Sequence, residues 1–530
     1  MLLGSILSIS VLASADAAPP LEKAAPSVQS SADQGTFTNS HSQGEASRPV
    51  IRQSEPPPAG NQPTNRDHQV RRSERPNSQS VAANTPAAEQ FLAWLAAFNS
   101  GDRSKLQAFL ERNFPARARN LEQELRFRNM TGGLEFQETD ESGATNFSGM
   151  LKERNSDQFV HLEMEVEPGE PHRIMRMLLR PIPRPADFAV PRMSEADAFA
   201  ALGVEMDKQA AADQFSGAVL AAKNGKPVFS RAYGLADRER KIPNTLDTRF
   251  RIGSMNKMFT AVAVLQMVQS GKISLTDTVG KYLTDYPNKD VASKVTIHHL
   301  LTHTGGTGDF FGPEYNAHRL ELRTLQDYVK LFGQRGPQFE PGSRWAYSNY
   351  GFLLLGVIIE RVSGQTYYDY VRDHVYAPAG MKSTNSLPED QAVPQRSIGY
   401  TKMGGGEGWR PNSDTLPYHG TSAGGGYSTV RDLVRFAQAL ESHKLLDAQH
   451  TNLLTSGKVD TGHGDKYAYG FSDRTENGVR SFGHGGGAPG MNGQLTIYPQ
   501  SGYVVAVLAN LDPLAAEHAA RFMGDRLQEK

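Results

Sequence analysis

The chain has 530 residues, 38% of them hydrophobic, and its 56 basic residues nearly balance 57 acidic ones to give a net charge of −1. This length predicts about two to four domains with ordinary hydrophobic cores. The neutral balance argues against a nucleic-acid-binding protein, and no apolar run is long enough to span a bilayer. The absence of cysteine excludes disulfides, thiolate nucleophiles and cysteine-ligated metals.

The first 84 residues predict an exported protein with a disordered tether. An apolar run at 2–12 precedes small-x-small patterns at 13–15 and 15–17, which are typical of a cleaved secretory signal. We therefore expect residues 1–17 to be a signal peptide and the protein to be periplasmic or extracellular. The basic residues that normally open a signal are missing, and a translation start upstream of Met1 would explain this. Residues 18–84 are rich in Pro, Ser, Gln and Asn, so they predict a disordered linker.

Residues 85–183 predict a small α+β domain. Thr85 and Pro86 form a typical N-cap and first turn, and a second helix is expected after Asp102. Alternating apolar residues at 160–166 and an apolar run at 174–179 predict strands. Two helices followed by about four strands resemble the cone-shaped fold of nuclear-transport-factor-2-like domains. Such a domain would serve substrate binding, dimerisation or spacing, and the proline-rich segment 181–185 predicts a stiff linker after it.

Residues 194–530 predict a third unit with strands at both of its ends. A helix is expected at 195–212, then a hairpin of strands at 217–221 and 228–233 around Asn224-Gly225. A second hairpin, at 494–498 and 503–508, precedes a last helix at 514–527. Because a largely helical segment lies between the hairpins, we expect one antiparallel sheet built from both termini. Helices would flank it in an α/β/α sandwich of the α+β class, with an inserted helical lobe and a cleft between them.

Ser254 and Lys257 stand at the predicted start of an apolar helix. Residues three apart share one helix face, so the lysine amine can lie beside the serine hydroxyl. A serine becomes a nucleophile when a neighbouring base takes its proton, and burial lowers the pKa of a lysine enough to make it that base. Of all the lysines in the chain, only Lys257 has a serine three residues before it. The alternative is a serine N-cap followed by an unrelated surface lysine.

Two later motifs can complete such a site. Tyr347 and Asn349 would place a phenol and an amide in one cleft, ahead of an apolar helix; Tyr286 and Asn288 have the same spacing but no helix behind them. The glycine-rich stretch at 482–490 precedes the last hairpin. As an edge strand without bulky side chains it would let a substrate backbone approach closely. It contains the three candidate substrate-binding residues His484, Gly486 and Gly487. A second His-x-Gly, at 303–305, lies before Tyr347 and is expected well away from the terminal strands.

The order Ser-x-x-Lys, Tyr-x-Asn, His-x-Gly resembles that of the serine β-lactamase and penicillin-binding-protein superfamily. The nearest likeness is to the class C-related branch, with its carboxylesterases, D-aminopeptidases and D-Ala-D-Ala carboxypeptidases. The resemblance spans about residues 215–511 and includes further stretches at 271–275, 300–306 and 423–429.

The resemblance implies a role for each candidate residue. Ser254 would be the acylated nucleophile, and Lys257 and Tyr347 would share general acid/base work. Asn349 would hold the substrate carbonyl, and the backbone N–H groups of Ser254 and Gly487 would bind the oxyanion. The reaction would pass through an acyl-enzyme that water hydrolyses, with no metal or other cofactor.

One departure from the superfamily pattern narrows the expected substrate. β-Lactamases and many penicillin-binding proteins carry Lys-Thr-Gly or Lys-Ser-Gly at the third motif, and this chain has His484 there. An imidazole, with a pKa of about 6.5, is mostly neutral at pH 7 and does not attract a carboxylate as lysine does. We therefore expect hydrolysis of an ester, an amide or a D-amino-acid peptide, including peptidoglycan-derived substrates, rather than strong β-lactamase activity.

Two other readings remain at this stage. The same fold could serve as a catalytically silent peptidoglycan- or peptide-binding module, although such a module has no need of the serine, lysine and tyrosine together. His299 and His303, four residues apart, could bind a metal from one helix face. No acidic residue follows His299, as a metallopeptidase helix requires, and Gly305-Gly306 would end the helix at once.

Overall fold

The computed structural model of the protein describes residues 84–403, 408–476 and 478–527. The predicted signal peptide, at 1–17, and residues 18–83 of the predicted linker lie outside the described residues. Within the described ranges, no helix is both long enough and apolar enough to cross a membrane.

Residues 86–182 fold into helices packed on an antiparallel sheet. In this part of the described chain the strands lie in the order β1-β2-β3-β4. The strands are β1 Leu134–Ser142, β2 Asn146–Glu153, β3 Phe159–Val166 and β4 Ile174–Ile182. The helices are α1 Pro86–Ser100, α2 Arg103–Asn113, α3 Pro115–Ala118 and α4 Leu121–Thr131. Two helices, α3 and α4, were not predicted, because α3 is a single turn and α4 carries mostly charged and polar residues.

The N-cap of α1 shows how local sequence determines where the first helix of this domain begins. Thr85 accepts a hydrogen bond from the Ala88 N–H at its side-chain oxygen, and Pro86 occupies the first turn. The cap fixes the helix face on which Phe91 and Trp94 are fully buried. Phe91 stacks on Phe147 of β2, with ring centroids 4.3 Å apart, so one aromatic contact joins the helical layer to the sheet.

The second folded unit is built on an antiparallel sheet that contains both of its ends. Among the described residues its eight strands lie in the order β13-β14-β15-β16-β17-β18-β5-β6. Val505 of β18 faces Ala221 of β5 in the register, so the last hairpin pairs with the first, as predicted. The sheet strands are β5 Gly217–Lys223, β6 Lys226–Tyr233, β13 Val459–Asp460, β14 Lys466–Tyr467, β15 Ser472–Glu476, β16 Val479–Ala488, β17 Met491–Tyr498 and β18 Tyr503–Ala509.

Helices cover both faces of this sheet. Val219 and Ala221 face one layer, which contains α5 Glu195–Ala211 and α17 Ala515–Arg526. Ala218 and Leu220 face the opposite layer, where the long helices are α6 Asn256–Gln269, α12 Asn349–Ser363 and α15 Val430–Glu441. This alternation follows from the two-residue period of a strand buried on both sides. The predicted α/β/α sandwich of the α+β class is confirmed.

Short elements complete the helical lobe and the loops. The remaining α-helices are α7 Val279–Tyr282, α8 Lys289–Lys294, α9 Ile297–Leu301, α10 Pro313–His318, α11 Leu325–Phe332, α13 Tyr367–Val371, α14 Ala377–Ala379 and α16 Ala448–Thr455. A π-helical turn spans Arg372–Tyr376, and 3₁₀ turns span Ala186–Phe188, Gly253–Met255 and Ser413–Thr415. The short strands are β7 Leu235–Asp237, β8 Ile242–Pro243, β9 Phe250–Arg251, β10 Tyr400–Thr401, β11 Arg410–Pro411 and β12 Tyr427–Ser428.

The small domain and the segment that follows it pack against the last helix of the larger unit through charged side chains. The Arg184 guanidinium lies 2.5 Å from the Asp525 carboxylate, and both side chains are nearly inaccessible to solvent. Arg526 lies 3.1 Å from Asp157. Removing one partner of the nearly inaccessible Arg184–Asp525 pair would leave the other charge buried and uncompensated.

Candidate active site

A tight turn holds Ser254 between the sheet and a glycine loop. The turn spans Gly253–Met255 and leads directly into α6. Gly253 has φ +49°, and a Cβ placed on it would stand 3.0 Å from the Gly487 nitrogen of β16, so only glycine fits there. Asn256, fully buried at the start of α6, donates to the Thr421 carbonyl and accepts from the Gly426 N–H. Ser254 is left partly open to solvent.

Lys257 is the buried polar centre of the site. Its Nζ lies 3.2 Å from Ser254 Oγ, 2.7 Å from Asn349 Oδ1 and 2.6 Å from the Ala423 carbonyl oxygen. The side chain is inaccessible to solvent. Burial lowers the pKa of Lys257 to about 7, against a smaller opposing effect of the Asp309 carboxylate. A neutral amine therefore exists near pH 7 within hydrogen-bonding distance of the serine hydroxyl, as the helical spacing predicts.

Tyr347 reaches the same point from the segment before α12. The Lys257 amine lies 4.8 Å from the centroid of its ring. Burial raises the pKa of the Tyr347 phenol above its usual value, and a hydrogen bond with the Ser254 side chain works against that rise. The phenol is therefore protonated at neutral pH. Tyr286, the other tyrosine with this spacing, is buried and bonds to the Tyr350 hydroxyl at 3.1 Å instead.

Asn349 has both polar atoms of its side chain occupied by protein. Its oxygen accepts from Lys257, and its nitrogen donates to Asp309 Oδ2 at 2.7 Å. The amide thus orients the lysine amine and ties it to a solvent-exposed carboxylate. Its predicted contact with a substrate carbonyl would require the nitrogen to turn away from Asp309, and that role stays a prediction.

The third motif lies on β16. This strand is not an edge strand along its whole length, because residues 479–483 pair with β15; residues 484–488 have β17 as their strand neighbour. A Cβ on Gly486 would stand 2.0 Å from the Ile252 carbonyl oxygen, so glycine lets the strand touch the turn before Ser254. The Gly487 amide is brought to Gly253 by the same packing. Its role in binding an oxyanion stays a prediction.

His484 is a neutral, buried member of this strand. Its side chain is 1% exposed, and its Nε2 lies 3.1 Å from the Tyr467 hydroxyl. Burial and the nearby Lys257 charge lower the pKa of the imidazole to about 3. The neutrality inferred from the sequence is therefore reinforced by the environment of the ring.

These residues open onto a cavity of about 750 Å³. Ser254, Tyr347 and Asn349 line it together with His484 and Gly487. One wall is aromatic, and Phe311 in that wall is 57% exposed. A concave, largely apolar space with a few convergent polar groups is what a small-molecule site requires. Gly486 is not among the lining residues, and it contributes through its packing on Ile252.

His303 and Asp309 are functional candidates that the sequence reasoning missed. The His303 ring was expected far from the terminal strands, yet its centroid lies 4.3 Å from that of Tyr347 and 4.5 Å from that of Tyr467 in β14. Its Nδ1 accepts the Ser348 N–H at 3.1 Å, which fixes the backbone next to Tyr347. Residues 300–306 belong to the stretches in which the sequence resembles the superfamily, and this resemblance is the sequence signal for a role of His303 in the site.

Comparisons with known proteins agree with this geometry. The family model described as Beta-lactamase matches residues 205–530. The putative penicillin-binding protein PbpX of Bacillus subtilis (strain 168) is 31% identical over 296 residues, covering 56% of this chain and 70% of that protein. Teichoic acid D-alanine hydrolase of Staphylococcus aureus is 28% identical over 310 residues, covering 58% and 73%.

A solved structure is also similar to this chain in sequence and fold. The penicillin-binding protein from Bacillus halodurans is 34% identical and has a TM-score of 0.55, and the match covers 61% of this chain and 97% of that one. The family model alone spans more than half of the sequence. The chain therefore belongs to the beta-lactamase family of serine hydrolases, as the order of its motifs predicts.

Proposed function

We propose that this protein hydrolyses an ester or amide bond through an acyl group carried on Ser254. The observation that carries the proposal is the 3.2 Å distance from the Lys257 amine to the Ser254 hydroxyl, with the pKa of that amine near 7. A base with a pKa close to the working pH combines the required protonation state with sufficient driving force for proton transfer.

The contacts of Lys257 support a direction for the proposed proton transfer. A neutral amine has two N–H donors, and Asn349 Oδ1 and the Ala423 carbonyl accept them. Its lone pair is then directed to Ser254. In the proposed step the amine takes the hydroxyl proton as Ser254 Oγ bonds to the substrate carbonyl carbon.

Tyr347 is the proposed donor to the leaving group. Its protonated phenol interacts with the Ser254 side chain, so a proton can pass to the departing oxygen or nitrogen as the carbonyl re-forms. Lys257, now an ammonium, returns its proton through the phenolate. Water then attacks the acyl-enzyme by the same route in reverse and releases the acid.

The proposed oxyanion site is the turn against which β16 packs. The Gly487 nitrogen stands beside Gly253, and the Ser254 nitrogen lies within the 3₁₀ turn Gly253–Met255. We assign these two N–H groups to the carbonyl oxygen as it gains charge. Each preorganised donor of this kind is typically worth about 10²–10³ in rate.

The charges of the cavity favour an acyl group that carries an amine. Asp309 is a solvent-exposed carboxylate in its lining, and the neutral His484 replaces the lysine that would hold a substrate carboxylate. An ammonium beside Asp309 would be paired, whereas a carboxylate there would be repelled. The relation to a teichoic acid D-alanine hydrolase supports a small D-aminoacyl group such as D-alanyl, as an ester or amide. A D-residue peptide is the second candidate substrate.

A matched substrate panel tests this proposal. We would compare D-alanyl and N-acetyl-D-alanyl p-nitroanilides, p-nitrophenyl esters of short acids, and nitrocefin. We expect the free amine to raise kcat/KM by about tenfold over its acetylated partner, and nitrocefin to be a poor substrate. The Ser254→Ala variant should lose at least about 10³-fold in kcat, while Ser293→Ala, on an exposed helix, should keep it. Turnover by Ser254→Ala would exclude the proposed nucleophile. If no compound is hydrolysed, a silent binding module becomes the better explanation.

We also propose that the protein is exported. The support is the apolar run at 2–12 with its small-x-small sites, the pattern of a secretory signal. Export would place the enzyme where peptidoglycan-derived and other extracellular substrates occur. Fractionation with amino-terminal sequencing tests this: we expect a mature protein that begins near residue 18, and a cytosolic protein with an intact amino terminus would contradict it.

A further inference from the structure

A second cavity lies between the small domain and the larger unit. Its volume is about 220 Å³. Glu153, Gln158 and Pro181 of the small domain form one side, and residues of β16, β17 and α17 form the other. Gly485 and Glu517 line both this cavity and the one that contains Ser254. The two spaces therefore adjoin at Gly485, on the strand against which the substrate is proposed to lie.

The second cavity also approaches Tyr347, the proposed proton donor to the leaving group. Trp345, two residues before Tyr347, is part of its lining, and the rings of these two residues are 6.5 Å apart. His463 stands across from Trp345, with ring centroids 6.0 Å apart. Since Tyr347 is the proposed proton donor to the leaving group, the atoms beyond the cleaved bond would extend toward Trp345 and Gly485.

The cations of this cavity are already engaged by protein acceptors. Arg521 donates to the Gln158 side chain, and Arg192 donates to the carbonyls of Gly524 and Leu527. Arg474 lies 2.8 Å from Glu476. Each of these three guanidinium groups therefore already has a protein acceptor that offsets part of its charge or donor capacity.

Two carboxylates are less well satisfied. Glu153 is 0% exposed; one of its oxygens accepts from Ser156 and lies 3.6 Å from His518, and the other has no hydrogen-bond partner. Glu517 has a buried oxygen without a partner as well. Burial raises the pKa of Glu517, so an incoming cation would stabilise its charged form. The Trp345 indole N–H and His463 Nδ1 are also buried and unpartnered, which suits a ligand with hydrogen-bonding groups of its own.

We infer that this cavity is a leaving-group subsite, completed by the small domain, for a polar group that carries an ammonium. Glu517 would contact the ammonium at the junction of the two cavities, and Glu153 would supply negative charge from the small domain. An amine of the diamino-acid type released from an amide, or an ammonium-bearing alcohol released from an ester, has the required chemistry. The inference rests on the proposed function, because it needs a leaving group in order to have meaning.

The test varies only the charge of the leaving group. Thioesters of one acyl group would be made with thiocholine, with its uncharged isostere 3,3-dimethylbutanethiol, and with mercaptoacetate. Released thiol is then measured without background from the protein, which has no cysteine. The variants are Glu517→Gln, Glu517→Lys and Glu153→Gln in the full chain, with Glu138→Gln, an exposed glutamate of the small domain, as the matched control.

We expect the wild-type kcat/KM to favour the thiocholine ester over the isostere by about tenfold. Glu517→Gln should bring that ratio close to one, Glu517→Lys should favour the mercaptoacetate ester, and Glu153→Gln should lower the ratio in part. Glu138→Gln should leave the ratio unchanged. Hydrolysis with a ratio near one in the wild type, or a ratio unmoved in both Glu517 variants, would overturn the subsite while leaving the acyl-enzyme proposal intact. Hydrolysis of p-nitrophenyl esters without cleavage of any thioester would overturn this inference alone, whereas failure to cleave either class would refute the proposed hydrolase and this inference with it.

Discussion

Lys257 Nζ lies 3.2 Å from Ser254 Oγ, at a point where its other hydrogen-bonding neighbours are the oxygens of Asn349 and Ala423. Full burial lowers the pKa of this lysine from 10.5 to about 7. At about 1.4 kcal/mol for each pKa unit, the fold holds the charged form of Lys257 less favourably than water does by about 5 kcal/mol. This burial therefore lowers the stability of the fold by its full amount below about pH 7, and the loss disappears as the pH rises from about 7 to 10.5.

The pH dependence of activity should report this lysine. Because the neutral amine is the base, we expect kcat/KM to fall about tenfold per pH unit below about pH 7. This pH profile of kcat/KM is measured by steady-state hydrolysis of an uncharged p-nitrophenyl ester between pH 5 and pH 9, with buffer ionic strength held constant. A rate that stays level down to pH 5 would exclude Lys257 as the base.

Removal of the Asp309 charge should move the acid limb of the pH profile, which is the fall in kcat/KM below about pH 7. The carboxylate raises the pKa of Lys257, so Asp309→Asn should lower the pKa and shift the acid limb to lower pH. The preference for a D-alanyl over an N-acetyl-D-alanyl anilide should fall at the same time. Asp290→Asn, at an exposed position on α8, serves as the control. If the limb stays in place while the substrate preference is lost, Asp309 acts on the substrate alone.

Tyr347→Phe should lower kcat much more for substrates with poor leaving groups than for those with good ones. Without the phenol, an anilide nitrogen has no donor for its proton, and we expect kcat for the anilide to fall by about 10²–10⁴. A p-nitrophenyl ester should suffer much less, because p-nitrophenolate leaves without a proton. Parallel kinetics on both substrates decide the point; equal losses would assign Tyr347 a structural role.

A cation at the third motif should change the preferred substrate charge. His484→Lys places an amine beside Lys257, and we expect carboxylate-bearing substrates to gain on the order of tenfold in kcat/KM relative to neutral esters. The acid limb of the pH profile should also move down, because a second cation disfavours protonation of Lys257. An unchanged substrate ratio would show that this side chain does not face the substrate.

Much of the larger unit could be predicted from local patterns. The turn at Asn224-Gly225, with φ of 48° and 79° at the two residues, is the hairpin that the dipeptide indicates. The alternation of apolar residues in the strands and the positions of both hairpins were enough to predict a sheet built from both ends of the unit. The three-residue spacing predicted that Ser254 and Lys257 meet, and they do so across the junction between the 3₁₀ turn and α6 rather than within one helix.

Contacts that depend on tertiary packing could not be predicted. His303 belongs to a loop whose sequence resembles a glycine strand motif, and only packing against Tyr347 reveals its place in the site. Asp309 reaches Asn349 from 40 residues earlier in the chain, with no periodic signal to mark it. The cavity at Glu153 exists only because two folded units meet, which no local pattern encodes.

The most direct test is to trap the covalent intermediate. The protein would be treated with a fluorophosphonate probe, and separately quenched during turnover of a slow ester, followed by intact-mass measurement and peptide mapping. We expect one adduct per chain on Ser254, with none in the Ser254→Ala variant. An adduct on another residue, or hydrolysis without any covalent adduct, would contradict the lysine-activated serine.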